Sequence, residues 1–368
     1  MVLERSPDGS LPVVDLDDPK HITTLKHAVG PAGPGFFYLK FPGLAAERAA
    51  DETLQLSREF FCLPSIEKKQ LQNDTGSCYW VQEPGQARIH LPSTGPGYRA
   101  VGHDENFAGD ARESFNIRMP GDGDLCTERC GLGRNKWPDA KSCSAPATWC
   151  SNFREKCEEY FRLCFETSAS LRASLEDPEC LGPFLGTGAE KAFTRSTSLL
   201  GFTHYDYVDF KAAGYAASGA QMFGIRPHQD DGLFTLLYTD GQPGLQYAKG
   251  ARQDQGRNAP AGDLSLFSGE LCRTDDQFSE QVIWEAVPFR PGHWIVNLGT
   301  DLFRWAGQGA KEGTCRPCKA TLHRVVRLGT QTERYSMPFF YEANLDACDL
   351  CFPFKNRYEY LVQEAQAT

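Results

Sequence analysis

The 368-residue chain reads as a mixed α/β protein whose core is mainly β. Three observations carry this reading. Short strand-like runs alternate with helical segments in the first third, one long segment repeats its apolar residues at helical steps, and β-rich runs dominate beyond Thr194. With 40% hydrophobic residues the chain can bury a sizeable core.

The first strand is expected over residues 12–16, Pro12-Val13-Val14-Asp15-Leu16. Residues 45–61 follow as an amphipathic helix, with Leu54, Leu56, Phe60 and Phe61 among its apolar positions. Leu63-Pro64-Ser65 interrupts it, and Ser65 is placed to cap a short helix through Lys68, although an ordinary turn role fits it nearly as well. Residues 66–123 lack a clean period and hold many turn formers, which suits substrate-facing loops. From 147 to 175, Phe153, Cys157, Phe161, Cys164, Phe165 and Leu171 recur at steps of three, four and seven, so this segment is a helix. Cys157 and Cys164 lie on its apolar stripe, where a reduced cysteine packs as a small hydrophobe.

Leu233-Phe234-Thr235-Leu236-Leu237-Tyr238, bounded by Gly232 and Asp240-Gly241, is a buried strand. Just before it stands Ile225-Arg226-Pro227-His228-Gln229-Asp230. The proline pushes Arg226 out of the helical region and marks a strand edge or strand end. In an extended chain residues i and i+2 face the same way, so His228 and Asp230 can address one ion while Gln229 points away. His323 follows within Thr321-Leu322-His323-Arg324-Val325-Val326, and then Arg334-Tyr335-Ser336 leads into Met337-Pro338-Phe339-Phe340-Tyr341.

Two imidazoles and one carboxylate make a facial triad that holds a divalent metal by one face and leaves the other open, as in non-haem Fe(II) oxygenases. Arg334 and Ser336, two residues apart, offer a planar fork and a hydroxyl to a carboxylate. Taken singly, an H-x-D reads as well as a surface strand, and His323 reads better as a core histidine bonded to a carbonyl. The ordered set favours the metal.

These residues resemble the 2-oxoglutarate-dependent Fe(II) dioxygenases of the isopenicillin-N-synthase-like family, and the likeness runs nearly end to end. It rests on Leu11-Pro12-Val13-Val14-Asp15-Leu16, Gly35-Phe36-Phe37-Tyr38, Phe60-Phe61-Cys62-Leu63-Pro64 with Glu67-Lys68, and Asn135-Lys136-Trp137-Pro138. It continues through Gly224-Ile225-Arg226-Pro227-His228, Gly244-Leu245-Gln246, Val296-Asn297-Leu298-Gly299 and the terminal R-x-S. The resemblance implies a double-stranded β-helix (jelly roll) with flanking N-terminal helices and a long support helix. It implies His228, Asp230 and His323 as iron ligands, and Arg334 and Ser336 on the C5 carboxylate of 2-oxoglutarate. In Thr203-His204-Tyr205, where relatives carry Asn-x-Tyr near the co-substrate, Tyr205 matches and Thr203 departs, so only the tyrosine is carried over.

On this reading the chain divides into an N-terminal region of helices plus strands joining the core (1–125), a linker and support helix (126–190), a jelly-roll catalytic core (191–345) and a C-terminal segment (346–368). A closing helix is expected within residues 355–361. The cofactors implied are Fe(II), with 2-oxoglutarate and O2 as co-substrates. The activity implied is hydroxylation, desaturation or oxidative cyclisation at a C–H bond of a small metabolite, of the kind met in secondary metabolism, with release of succinate and carbon dioxide.

Candidate pocket residues are Arg88, His90, Tyr98, Arg112, Phe115 and Phe340, each with packing or a surface position as its plainer role. A second basic group in the pocket would point to a carboxylated or amino-acid-derived substrate. Two inserts depart from the family pattern, at residues 251–263 and 307–319. The second contains Cys315 and Cys318, which with Cys348 and Cys351 make two C-x-x-C pairs able to supply a structural Zn(II), or else unrelated free thiols.

The net charge of −10, without clustered Lys and Arg, argues against nucleic-acid or membrane-surface binding. The amino terminus lacks a charged region followed by an apolar one, and no run of 18 apolar residues occurs, so a cytoplasmic monomer with its 14 cysteines reduced is expected. Two other classes compete: a jelly-roll sensor that binds metal without turnover, and a cupin-type metal hydrolase using the triad to activate water. Neither needs an anion site at Arg334.

Overall fold

The computed structural model describes residues 11–72, 78–81, 89–92, 95–100, 112–120, 134–185, 193, 197–206, 223–251, 282–308, 317–326 and 333–343. Among these, the amphipathic pattern near the amino terminus becomes helix α2 (Leu44–Phe61), which buries Ala46, Ala50, Leu54, Leu56, Phe60 and Phe61 at helical spacing. The short helix α3 (Ser65–Gln70) starts as expected, but Pro64 is its N-cap residue and no side chain caps it, so Ser65 is simply its first helical residue. A helix that no strong period announces, α1 (His21–Val29), is fixed by burying Leu25, Ala28 and Val29. The long helix α4 (Ala147–Leu175) buries Phe153, Cys157, Phe161, Cys164 and Leu171 on one stripe, as their spacing predicts.

Two sheets carry the β core. The larger has eight strands in the order β1 (Val13–Val14), β2 (Phe36–Lys40), β12 (His293–Leu298), β9 (Phe234–Thr239), β14 (Arg334–Tyr341), β7 (Leu199–Tyr205), β6 (Glu113–Arg118) and β5 (Gly97–Arg99). The smaller has four, in the order β11 (Val282–Ala286), β10 (Leu245–Ala251), β13 (His323–Val326) and β8 (Phe223–His228). A separate pair joins β3 (Cys78–Val81) to β4 (Ile89–Pro92). Among the described strands, β1 and β2 run parallel and the other pairings are antiparallel. Strand β8 is an edge strand and ends at His228, which accommodates the missing N–H of Pro227.

Strand alternation divides the larger sheet into two faces. Phe37, Leu39, Phe115, Phe202, Leu236, Trp294, Val296, Met337 and Phe339 face the helices in one apolar cluster with α1, α2 and α4. Phe161 of α4 meets Phe339 edge-on at 5.1 Å, and Trp294 Nε1 donates to Tyr160 Oη at 2.9 Å. The opposite face supplies Val13, Phe36, Tyr38, Tyr205 and Ile295, which cluster with Leu245, Tyr247 and Val325 of the smaller sheet. The two sheets therefore close on each other as a jelly roll, with helices on the outer side of the larger one. The remaining short helices are α5 (Gly182–Leu185) and α6 (Thr300–Gln308), the latter within a stretch expected to be strand-dominated.

The expected closing helix, most of both inserts, and two pocket candidates, Arg88 and the side chain of His90, lie outside the described residues. No helix among those described is long and apolar enough to cross a membrane.

Candidate metal centre

The site begins with a register. His228, the last residue of β8, pairs directly with His323, the first of β13, and their rings stand 4.2 Å apart by centroid. The chain leaves β8 extended, so Asp230, two residues on, turns its carboxylate to the same place. One ligand atom from each of the three lies within 4.8 Å of the others. His228 Nε2 is 3.4 Å and His323 Nε2 is 3.6 Å from the same oxygen, Asp230 Oδ1. Donors that share one ion at about 2.0–2.2 Å stand roughly 3–3.5 Å apart, so this spacing fits a common metal.

Neighbouring groups prepare the donors. His228 Nδ1 lies 2.8 Å from the carbonyl of Arg226, and His323 Nδ1 lies 3.1 Å from that of Thr321. A carbonyl only accepts, so each Nδ1 carries the proton and each Nε2 keeps its lone pair for the ion. Asp230 is held on its other oxygen: Thr235 Oγ1 donates to Oδ2 at 2.6 Å and Asn297 Nδ2 at 2.8 Å. Asn297 comes from the Val296-Asn297-Leu298-Gly299 run, whose use was invisible in sequence. Phe36 covers His323 edge-on at 5.6 Å.

Burial shapes the charges. Burial, then the neighbouring His228, lowers His323 to about 4, so this imidazole stays neutral. Burial would raise the Asp230 carboxyl, but His323, His228 and Thr235 overcome it and hold Asp230 well below the usual carboxylate range. His228 is the least enclosed of the three.

The candidate anion pocket lies in the same interior. Arg334 and Ser336 open strand β14, are 5% and 2% exposed, and occupy the face opposite Tyr335 and Met337. The Arg334 guanidinium stacks 4.9 Å above the ring of Tyr205, its register partner on β7. Its Nε and Nη1 are buried without a hydrogen-bond partner among the described residues. Orphaned donors of this kind are costly unless a ligand takes them, and a carboxylate matches the fork. Ser336 pairs with Thr203 on one side and Thr239 on the other, and Thr203 in turn with Ser114, so a row of hydroxyl residues crosses four strands beside the guanidinium. Thr203, which departs from the family pattern, belongs to this row.

Glycine at 224 ties the two halves together. A Cβ there would come within 2.6 Å of Tyr205 Cδ1 and 2.8 Å of Cε1. The aromatic floor under Arg334 therefore rests on the backbone of the strand that ends at His228.

Of the pocket candidates, Tyr98 and Phe115 turn to the helix side: Phe115 is fully buried in the core, and Tyr98 donates to Glu113 Oε2 at 2.5 Å. They are packing residues, as their plainer reading held. Arg112 acts on His228 electrostatically, and half-buried Phe340 shares the inner face of β14 with Arg334. Cys318 is buried with its thiol 4.0 Å from the Leu302 carbonyl, whereas Cys315, Cys348 and Cys351 lie outside the described residues.

Comparison with known proteins gives two family matches. The family described as non-haem dioxygenase in morphine synthesis N-terminal matches residues 11–140, and the 2OG-Fe(II) oxygenase superfamily matches residues 259–343. The second match takes in His323, Arg334 and Ser336, while His228 and Asp230 lie before it and join them only through the fold. Azadirone synthase of Melia azedarach is 26% identical over 87% of this chain and 77% of its own length. Homoarginine-6-hydroxylase of Arabidopsis thaliana is 25% identical over 93% of this chain and 88% of its own. Among solved structures, a full-length Neurospora crassa protein crystallised with alpha-KG and thymine superposes with a TM-score of 0.63 at 20% identity, over 100% of this chain and 99% of that one. The chain belongs to the 2-oxoglutarate- and Fe(II)-dependent oxygenases of the isopenicillin-N-synthase-like family.

Proposed function

We propose that His228, Asp230 and His323 hold the Fe(II) of this oxygenase, that Arg334 and Ser336 bind the distal carboxylate of 2-oxoglutarate, and that the substrate is a small carboxylated or amino-acid-derived metabolite oxidised at a C–H bond. The observation that carries the reading is the buried Arg334 fork, unpartnered at Nε and Nη1 among the described residues, in the interior it shares with the triad. Neither a metal sensor nor a water-activating hydrolase has a use for that fork.

Iron, 2-oxoglutarate and dioxygen supply the oxidising power, with succinate and carbon dioxide as by-products. The chain's own residues position and exclude. Carbonyls 226 and 321 keep both Nε2 lone pairs aimed inward, and Thr235 with Asn297 keeps Asp230 Oδ1 facing them. Tyr205 fixes the plane of the guanidinium, so a bound dicarboxylate arrives in one orientation. Phe36, Tyr247 and Val325 wall the site with apolar surface that keeps water out.

The test is anaerobic addition of Fe(II) and 2-oxoglutarate, read by the weak visible charge-transfer band of an iron–keto-acid chelate. The band should form and should require Arg334 at low co-substrate. Bound iron with no band would remove the reading. A succinate-release screen across small carboxylates, amino acids and aromatic metabolites then identifies the substrate. Residues 191–345 are read as the catalytic core, and the Cys315, Cys318, Cys348, Cys351 set remains a proposal that zinc analysis of the purified protein decides.

A further inference from the structure

We propose a second divalent-cation site, built from His204, Asp206 and Glu333 on the outer face of the β7–β14 pair. His204-Tyr205-Asp206 repeats the H-x-D spacing of His228-Gln229-Asp230. Alternation sends Tyr205 inward beneath Arg334, while His204 and Asp206 take the other face. Glu333 stands beside them one residue before Arg334, and one ligand atom from each of the three lies within 4.8 Å of the others.

The histidine is what separates this cluster from ordinary surface acids. His204 is 7% exposed, and its Nε2 is buried without a hydrogen-bond partner among the described residues, 3.6 Å from Glu333 Oε2. Its Nδ1 lies 2.8 Å from Glu113 Oε1, so a ring proton donated there leaves the Nε2 lone pair on the side of Glu333. A carboxylate holding the far nitrogen of an imidazole is the usual support for a metal-bound histidine. The ring is further locked against Tyr335, stacked at 4.5 Å, and Tyr335 Oη donates to Glu333 Oε2 at 2.7 Å. Among the described residues, three carboxylates, Glu113, Asp206 and Glu333, gather round the ring, while Lys68 is bound to Glu113 at 2.8 Å and the Arg58 guanidinium lies 5.2 Å over the neighbouring Tyr335 ring. That balance suits a cation. One imidazole and two carboxylates favour an ion of the Mn(II) or Zn(II) class and leave positions open to water. Such an ion would clamp β7 to β14 at the point where both present the co-substrate pocket on their inner side.

Mn(II) is the suitable probe, because it prefers carboxylate and imidazole to thiolate and so passes over the cysteines. Bound Mn(II) is counted from the loss of the free-ion electron paramagnetic resonance signal, in the full chain and in Asp206→Asn combined with Glu333→Gln. Both carboxylates are exposed, so the variant folds. The expected result is loss of one bound ion per chain, with the ion that depends on Asp230 retained. Equal binding by both proteins would overturn the proposal. In Asp230→Ala the second ion should persist, which separates this site from the iron centre.

Discussion

Asn297 Nδ2 donates to Asp230 Oδ2 at 2.8 Å, from the middle of the larger sheet to the loop that follows β8. With one oxygen so engaged, the carboxylate has a single rotational setting, and its other oxygen faces both imidazoles. Outer partners of this kind typically govern metal affinity by about 10- to 100-fold. Asn297→Ala should therefore weaken Fe(II) binding by about that factor while Thr235 keeps the site partly ordered. Iron titration followed by the chelate band measures it, and unchanged affinity would mean that Thr235 alone orients Asp230.

Asp230→Ala should abolish turnover and reduce iron binding, since two neutral imidazoles remain. Retained full activity would show that another carboxylate is the ligand. Arg334→Ala should instead leave iron in place and raise the 2-oxoglutarate requirement. Loss of a charge-assisted contact costs about 1.5–3 kcal/mol, or roughly 10- to 150-fold in concentration. An effect confined to the primary substrate would reassign the guanidinium.

Gly224→Ala is a remote route to the same phenotype. The added methyl would overlap the Tyr205 ring at 2.6 Å, and Val325 Cγ1, 3.1 Å from it, closes the other side. Overpacking of this size costs about 1–3 kcal/mol. The ring must move away from under Arg334, so the KM for 2-oxoglutarate should rise while the Asp230-dependent iron affinity holds. Wild-type kinetics with a lowered melting temperature would show that Tyr205 only fills space.

Acid stability tests the buried cluster behind the site. Burial raises Glu113, but bonds from His204, Lys68 and Tyr98 outweigh it and hold the carboxyl below its ordinary 4.5. The unfolded chain then takes up the proton more readily, so this stabilisation is present above the ordinary carboxylate range and is lost as pH falls through the lowered folded value. Denaturant unfolding from neutral to acid pH should show a drop that is smaller in Glu113→Gln. Glu113→Ala, which strands the buried Lys68, should cost about 3–5 kcal/mol. Parallel pH profiles for wild type and Glu113→Gln would exclude the carboxylate as the acid-sensitive group.

Local rules made part of this molecule readable. Period-two alternation made His228 and Asp230 legible as a pair, the proline at 227 marked the strand edge, and the helical stripe through Phe153, Cys157, Phe161 and Cys164 fixed α4. Helix α1 escaped because its nine residues bury only Leu25, Ala28 and Val29 and gain their order from packing on the sheet. Helix α6 escaped because it lies between strands. Asn297 was visible as part of a motif, though its bond to Asp230 depends on pairing between β12 and β9. Lys68, Tyr98, Glu113 and His204 meet only after β5, β6 and β7 align, so no local pattern could join them.

Arg334 faces one chamber and its neighbours Glu333 and Tyr335 the other, with Tyr205 and His204 divided in the same way across the ladder. A slip of β14 by a single position would carry an acid into the anion pocket and turn the guanidinium toward the helices. With Arg334 as the proposed anchor, misregistered chains would lose their hold on 2-oxoglutarate, so the co-substrate should favour the properly zipped fold and shield newly made protein from proteolysis.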